Sequence, residues 1–243
     1  MRILCVIVLV MIAILVYGFF CGYTTINILH RPKHRQTRIA CVGDSITYGM
    51  GIKNWPKNNY PAVLQRLLGE TCCVNNYGYS NRTLMKTGDH PYSREKQFSQ
   101  SLAFEPDAVI IMLGTNDAKE KNWRGREHFK EEYLDFLKSY TEACPRSTIF
   151  LCTPSTIFYN DGTMEGSQVG REIIPCQNLR NAAETVREIG AEHKLPVVDI
   201  NAFTRGHRDW FQEGLHPNKE GAEKIAERIC RDVMGWKDAR DGV

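Results

Sequence analysis

From residue 38 onward, short apolar runs alternate with longer segments whose apolar residues recur every three or four positions. Five of the apolar runs have the length of β-strands: residues 38–42, 71–76, 106–113, 147–152 and 196–200. The third run is apolar from Ala108 to its end, which is typical of a parallel strand buried on both faces. The pattern therefore predicts a sheet of about five parallel strands.

The segments between these runs have the spacing of amphipathic helices. They cover residues 60–68, 127–143, 172–194 and about 218–234. The second carries an apolar face that we expect to pack in the core: Phe129, Tyr133, Phe136, Leu137 and Tyr140. Strands and helices in alternation are joined by right-handed crossovers. We therefore expect an α/β fold, a three-layer α/β/α sandwich of flavodoxin-like type.

The N-terminal segment has a different pattern. It is apolar at 3–23 and holds one charged side chain, Arg2, before residue 30. This length suffices to cross a hydrocarbon core, so residues 1–23 are interpreted as a transmembrane helix, an anchor or signal segment of a membrane protein. The residues around Cys21 offer no small-residue cleavage site, which favours a single-pass N-terminal anchor over secretion after signal cleavage. Residues 24–37 are polar and basic, and are predicted to link this segment to one domain at 38–243.

Two observations on orientation conflict. Arg31, Lys33, Arg35 and Arg38 follow the apolar stretch, and the positive-inside rule would place the domain in the cytoplasm. A short leading segment with one charge is how export signals begin, and we therefore favour a domain outside the cytoplasm.

The charge balance argues against one class of partner. The formal net charge is +3, but without the five basic residues of the first 38 the chain holds 26 basic against 28 acidic residues. A near-neutral domain without a basic stripe gives no electrostatic reason to expect nucleic acid as a partner.

No motif indicates a metal or a cofactor. Cys72 and Cys73 are adjacent rather than spaced as a metal-binding pair, and no His-Glu-x-x-His motif occurs. Residues 43–49 lack the Gly-Lys-Ser/Thr ending of a phosphate-binding loop. The cysteines outside the leader are odd in number and are interpreted as small buried hydrophobes.

Candidate chemistry begins where the first strand ends. Gly43-Asp44-Ser45 follows the run at 39–42, so a serine hydroxyl lies at the carboxyl edge of the sheet, where open α/β sheets bind ligands. A serine nucleophile requires a base, an orienting acid and donors for the oxyanion. His216, which precedes the last predicted helix, is a suitable base.

Four blocks occur in a particular order: Gly43-Asp44-Ser45, Gly78, Gly114-Thr115-Asn116-Asp117 and Gly214-Leu215-His216-Pro217. Over about residues 38–234 the chain resembles the SGNH (GDSL-type) hydrolase family of esterases. One departure is that the family usually has aspartate three residues before the histidine, where this chain has Glu213.

The resemblance assigns a catalytic triad to Ser45, His216 and Glu213. Glutamate serves as the acid in other triads. The alternatives are a Ser45–His216 dyad supported by a backbone carbonyl, or Asp209 as the acid.

The resemblance also implies an oxyanion hole formed by the N–H groups of Ser45 and Gly78 and the amide of Asn116. Asp44 and Asp117 are expected to hydrogen-bond loop N–H groups rather than to transfer protons.

The sequence constrains the substrate specificity less than the catalytic residues. Trp55 and Trp123 lie in loops after the first and third blocks, together with Tyr60, and a polar loop spans residues 153–170. Aromatic side chains beside a polar loop favour an acylated sugar over a long lipid tail. We therefore expect an ester hydrolase that removes a short acyl group such as acetyl from a small-molecule or glycan ester. The alternatives are a lysophospholipase or thioesterase, an acyltransferase with the same serine, and a non-catalytic domain that binds acylated glycans.

Overall fold

A five-stranded parallel sheet forms the centre of the domain. The computed structural model describes residues 2–23, 26–158, 166–169 and 172–240. The sheet has the order β2-β1-β3-β4-β7. Its strands are β1 (Thr37–Gly43), β2 (Cys72–Gly78), β3 (Ala108–Met112), β4 (Thr148–Cys152) and β7 (Val197–Val198), and a separate antiparallel hairpin joins β5 (Gly166–Val169) to β6 (Glu172–Pro175). The parallel five-stranded sheet confirms the expected α/β class.

Helices cover both faces of this sheet. The α-helices of the described residues are α1 (Arg2–Phe20), α2 (Ser45–Tyr48), α3 (Trp55–Asn58), α4 (Tyr60–Leu68), α5 (Lys96–Ala103), α6 (Arg126–Ala143), α7 (Cys176–His193), α8 (Ile200–Thr204) and α9 (Lys219–Arg240). The two faces are covered mainly by α4 and α9 on one side and by α6 and α7 on the other. Because side chains alternate along a strand, Ile39 and Cys41 of β1 pack on the side of α4 and α9, whereas Ala40 and Val42 pack on the side of α6 and α7. The two apolar clusters on opposite faces make the predicted three layers.

Two predicted elements are shorter than the sequence pattern suggests. The helix predicted at 172–194 begins only at Cys176, because Pro175 has extended backbone angles and the proline ring disfavours helix in the residue before it. The strand predicted at 196–200 is reduced to β7. Asp199 ends it by accepting a hydrogen bond from the N–H of Ala202, at 3.1 Å, which starts α8.

The N-terminal segment forms α1, but the structure does not support a transmembrane anchor. Within the described ranges, no helix combines the length and the apolar character needed to cross a membrane. The prediction of a membrane-spanning helix is therefore not confirmed.

Part of the predicted linker lies against the domain. The side-chain amide of Asn27 donates to the carbonyl oxygens of Asn76 and Gly78, at 3.0 and 2.9 Å. The N–H of His30 donates to Asn75 Oδ1 at 2.7 Å. These bonds satisfy polar groups along the free edge of β2, so this stretch covers an edge strand. Residues 24 and 25 of the linker lie outside the described residues, as does part of the polar loop predicted at 153–170.

Candidate active site

Ser45 is the first residue of α2, directly after β1. Asp44 caps this helix, with its Oδ1 accepting a hydrogen bond from the N–H of Ile46 at 2.9 Å. A Cβ atom at Gly43 would lie 2.0 Å from Thr47 Oγ1 and 2.6 Å from the carbonyl oxygen of Met112, so only glycine allows the strand to turn this closely into the helix. The turn holds the Ser45 hydroxyl at the carboxyl edge of the sheet.

His216 contacts Ser45 across 171 residues of sequence. Ser45 Oγ lies 2.9 Å from His216 Nε2, and His216 Nδ1 is hydrogen-bonded to Glu213 Oε1. Ser45 and His216 are each 7% exposed. This chain of contacts joins the nucleophile, the base and the acid that the sequence predicts.

A tight turn brings Glu213 to the histidine ring. The N–H of Gln212 donates to the carbonyl oxygen of His216 at 2.9 Å, and Gly214 adopts φ +90°. A Cβ atom at Gly214 would lie 1.9 Å from the carbonyl oxygen of Phe158, so the turn packs closely against the chain beneath it. Within this turn the longer glutamate side chain reaches the ring nitrogen.

The ionised form of Glu213 is favoured. Partial burial opposes the charge, but the hydrogen bond and the charge of His216 outweigh it and lower the pKa of Glu213 below its ordinary value. Asp209 is exposed, and its backbone carbonyl accepts from the side chain of Asn218. The geometry thus favours Glu213 over Asp209 as the acid.

Two buried aspartates hold the loops around the site. Asp117 accepts hydrogen bonds from the N–H groups of Leu84 and Met85, at 2.9 and 2.8 Å. Burial raises the pKa of Asp117 to about 7, against the opposing effect of these donors. Burial also raises the pKa of Asp44 to about 6, although the N–H of Ile46 and the charges of His216 and Lys119 act in the opposite direction. Both carboxyls bond loop N–H groups, as the sequence predicts.

A cavity of about 350 Å³ opens beside Ser45 and His216. Asn116 lines it, with its Nδ2 donating to the carbonyl oxygen of Arg82 at 3.1 Å and to Asp44 Oδ2 at 3.3 Å. Met50, Ile174 and Leu215 supply apolar contact, and Ser80 adds a hydroxyl. The predicted nucleophile, the predicted base and the predicted amide donor therefore face one cavity.

The structure does not bring Gly78 to this cavity. Its N–H donates to Asn76 Oδ1 at 2.8 Å, and the residue pairs with Gly43 inside the sheet. A Cβ atom there would lie 2.3 Å from the backbone nitrogen of Tyr48. Glycine at this position is therefore explained by the close approach of β2 to α2, which corrects its predicted place in the oxyanion hole.

Two residues that the sequence reasoning did not single out line the cavity instead. Asn81 has φ +65°, and Lys119 is 4% exposed, with Nζ donating to Asn81 Oδ1. Asn81 follows the end of β2 by three residues, and asparagine is among the few residues that tolerate this backbone conformation. Its position after the strand and its residue type could have identified Asn81 from the sequence. The burial of Lys119 could not be predicted from the residues next to it in the chain.

The two tryptophans that were expected to contact substrate lie elsewhere. Trp55 is 1% exposed and stacks on Tyr48, with ring centroids 4.7 Å apart. Trp123 packs on Phe129 at 5.6 Å, within the apolar cluster beside α6. Tyr60 is buried as well. Their apolar surface is used for packing, so none of the three lines the cavity.

Acidic, histidine and cysteine side chains of the described residues show no metal-binding arrangement. Across the described part of the chain, no three of them are placed to hold a metal ion together. All nine cysteines fall within that part, and all are free thiols.

The model of the GDSL-like lipase/acylhydrolase family matches residues 41–224, which is most of the chain. The chain belongs to this family. The match includes Ser45, Asn116, Glu213 and His216. It confirms the resemblance inferred from the four blocks, and the family is one of hydrolases that act on ester bonds, the class of enzyme that the sequence predicts.

Relatives support the same assignment. An acetylxylan esterase from Xylanibacter ruminicola is 35% identical over 220 residues, which are 83% of this chain and 44% of that protein. The chain spans less than half the length of the curated relatives it matches.

Solved structures show the same fold at lower identity. A lipase/acylhydrolase from Enterococcus faecalis has a TM-score of 0.63 at 22% identity, covering 82% of this chain and 96% of that one. A carbohydrate acetylesterase from Sinorhizobium meliloti has a TM-score of 0.63 at 18% identity, covering 83% and 100%.

Proposed function

We propose that this protein is a serine esterase that hydrolyses carboxylic esters through an acyl-serine intermediate. The observation that carries the proposal is the chain of contacts from Ser45 Oγ through His216 to Glu213 at the wall of a cavity. A serine hydroxyl is a weak nucleophile, and a base at 2.9 Å can accept its proton as it attacks.

In the first half-reaction, Ser45 Oγ attacks the acyl carbon and His216 Nε2 takes the hydroxyl proton. The ionised Glu213 accepts the Nδ1–H of His216, which fixes the tautomer and stabilises the imidazolium. The tetrahedral intermediate then expels the alcohol, which receives the proton from Nε2. Water, deprotonated by the same nitrogen, hydrolyses the acyl-serine in the second half-reaction.

The negative oxygen of the intermediate requires hydrogen-bond donors. We assign the N–H of Ser45, the amide of Asn116 and the N–H of Asn81 to this role. The Asn116 amide gives up its contact with Asp44 Oδ2, at 3.3 Å, when the negative oxygen forms. Asn81 replaces Gly78 here, because the N–H of Gly78 is bonded to Asn76 while Asn81 lines the cavity. Among the described residues, the N–H of Asn81 has no hydrogen-bond acceptor.

A short acyl group, acetyl on a carbohydrate above all, is the proposed substrate. The cavity of about 350 Å³ lies at the small end of the usual range for ligand pockets, which disfavours a long acyl chain. Ser80 and Asn81 offer polar contacts to an alcohol such as a sugar. The relative named as an acetylxylan esterase agrees with this chemistry.

Hydrolysis of p-nitrophenyl acetate by the full chain tests the proposal, with Ser45→Ala as the inactive variant. We expect kcat to fall by about 10⁴-fold or more, because the covalent step is lost. Circular dichroism and a thermal melt serve as controls for folding. If Ser45→Ala retains the wild-type rate, Ser45 is not the nucleophile.

A chain-length series then tests the substrate class. We expect kcat/KM to fall from acetyl to octanoyl p-nitrophenyl esters, and acetylated xylan to release acetate. A preference for long acyl chains would indicate a lipase or thioesterase, and acyl transfer to added sugar alcohols would indicate an acyltransferase. The expected location of the domain outside the cytoplasm stays a prediction.

A further inference from the structure

Lys119 is buried beside the candidate nucleophile. Lysine is rarely buried without a partner, because its charge loses hydration there. The side chain of Lys119 is directed into the active-site region, where Nζ donates to Asn81 Oδ1 and where both residues line the same cavity as Ser45 and His216. The contact spans 38 residues of sequence, and it joins the loop after β3 to the loop after β2.

Neighbouring residues of the β2 loop are fixed by other contacts. The carbonyl oxygen of Arg82 accepts from Asn116, and the N–H groups of Leu84 and Met85 donate to Asp117. Asn81 precedes this anchored stretch and is the residue with positive φ. Its side chain receives its hydrogen bond from Lys119, so this contact holds the conformation at the point where the loop passes the cavity.

We propose that Lys119 is a positioning residue for the hydrolysis. By holding the side chain of Asn81, it keeps the Asn81 backbone in the left-handed conformation that turns its N–H toward the oxygen of the tetrahedral intermediate. This inference rests on the proposed function. Lys119 acts through Asn81 and takes no part in proton transfer.

The first test compares Lys119→Met with Lys121→Met on p-nitrophenyl acetate. Methionine preserves length but removes the charge and the donor. Removing one oxyanion donor typically costs ~10²–10³ in rate, so a displaced donor should lower kcat by about 10- to 100-fold. KM should change less than about twofold, because the donor acts on the transition state rather than on the ground state. Lys121 is the matched control, since it lies outside the cavity and pairs with Asp89 at 2.7 Å; its variant should retain the wild-type kcat.

A double-mutant cycle with Asn81→Gly tests whether Lys119 acts through Asn81. Glycine adopts positive φ without steric cost, so Asn81→Gly should lower kcat only by about two- to fivefold. In that background Lys119→Met should add less than about threefold, because the contact it removes is already absent. Lys119→Arg, which keeps the charge and the donors, should restore part of the rate.

Several outcomes would overturn the inference. An equal effect of Lys119→Met in the wild-type and Asn81→Gly backgrounds would show that Lys119 does not act through Asn81. A rise in KM at constant kcat would assign Lys119 to substrate binding. If Lys119→Met fails to fold, kcat is measured for Lys119→Arg and Asn81→Gly instead. A wild-type kcat in both of these variants would refute the positioning role of Lys119. A wild-type protein that hydrolyses no ester refutes the proposed function instead, whereas an active wild type with unaffected Lys119 variants refutes this inference alone.

Discussion

The two sides of the active site are held together in different ways. On the triad side, Glu213 and His216 are three residues apart, and a single turn with Gly214 at φ +90° brings them into contact. On the oxyanion side, the loops after β2 and β3 are joined by buried polar contacts between residues more than 30 apart, through Asp117 and Lys119. The geometry of the Glu213–His216 pair is therefore encoded locally, while the donor geometry depends on contacts that exist only in the folded chain.

Among changes to the turn at 213–216 that leave His216 in place, removing the charge of Glu213 should have the largest effect. Loss of a triad acid costs up to ~10⁴-fold in kcat, because the histidine is no longer oriented or stabilised as imidazolium. We expect Glu213→Gln to lower kcat on p-nitrophenyl acetate by about 10²- to 10⁴-fold, since the side chain is 40% exposed and water screens part of the interaction.

Glu213→Asp is the matched variant for this measurement. It keeps the charge and should retain more activity than Glu213→Gln. If Glu213→Gln has the wild-type kcat, the site is a Ser45–His216 dyad, and the local turn does not set the catalytic rate.

A smaller effect is expected from changing the turn itself. Alanine at position 214 must adopt a positive φ and place its Cβ against the carbonyl oxygen of Phe158. We expect Gly214→Ala to lower the free energy of unfolding by about 1–3 kcal/mol and kcat by about tenfold, because overpacking displaces Glu213.

Gly206→Ala is the control for backbone strain alone. Gly206 has φ +84°, but a Cβ atom there meets no atom within 4 Å. Denaturant unfolding and steady-state kinetics of both variants separate the two effects. Equal losses of activity would show that the close packing of the 213–216 turn is not what positions Glu213.

The oxyanion side should show a pH dependence of stability through Asp117. Its pKa rises from 3.8 to about 7 on folding, so between these values the folded protein holds a proton that the unfolded chain has released. Stability from this group is therefore highest below about pH 4 and declines as the pH rises to about 7. Asp117→Asn does not titrate and lacks this decline.

Thermal melts from pH 4 to pH 7 measure this difference. The Tm of Asp117→Asn relative to wild type should rise with pH across this window. Burial opposes the charge of Asp89, but the contacts with Lys121 and Asn122 outweigh burial and lower the pKa of Asp89. The stability that ionised Asp89 contributes is therefore lost only at lower pH. The relative Tm of Asp89→Asn should therefore stay level from pH 4 to pH 7. If the difference in Tm between Asp117→Asn and wild type is also constant from pH 4 to pH 7, the carboxyl of Asp117 in the wild-type protein is ionised throughout this range.

Local patterns accounted for much of the fold. The helix predicted at 60–68 matches α4, and the apolar run at 106–113 contains β3, because amphipathic spacing and continuous apolar character reflect burial directly. α5 and the β5–β6 hairpin were not predicted, since α5 is short and weakly apolar and the hairpin lies in a segment read partly as loop and partly as helix. The tryptophans were misplaced for a related reason, because an aromatic residue in a loop can pack inward as readily as outward.

The sequence by itself determined the residue types and chain positions of the proposed nucleophile, base and acid. The order of strands and helices also carries Ser45 and Asn116 to one edge of the sheet, because parallel strands end on the same side. Only the tertiary structure decided which loop residues line the cavity. The Gly78 N–H is used by Asn76, while Asn81 enters the site with its side chain bonded to Lys119. These choices depend on contacts between loops that are distant in the chain, and no local pattern of residues records them.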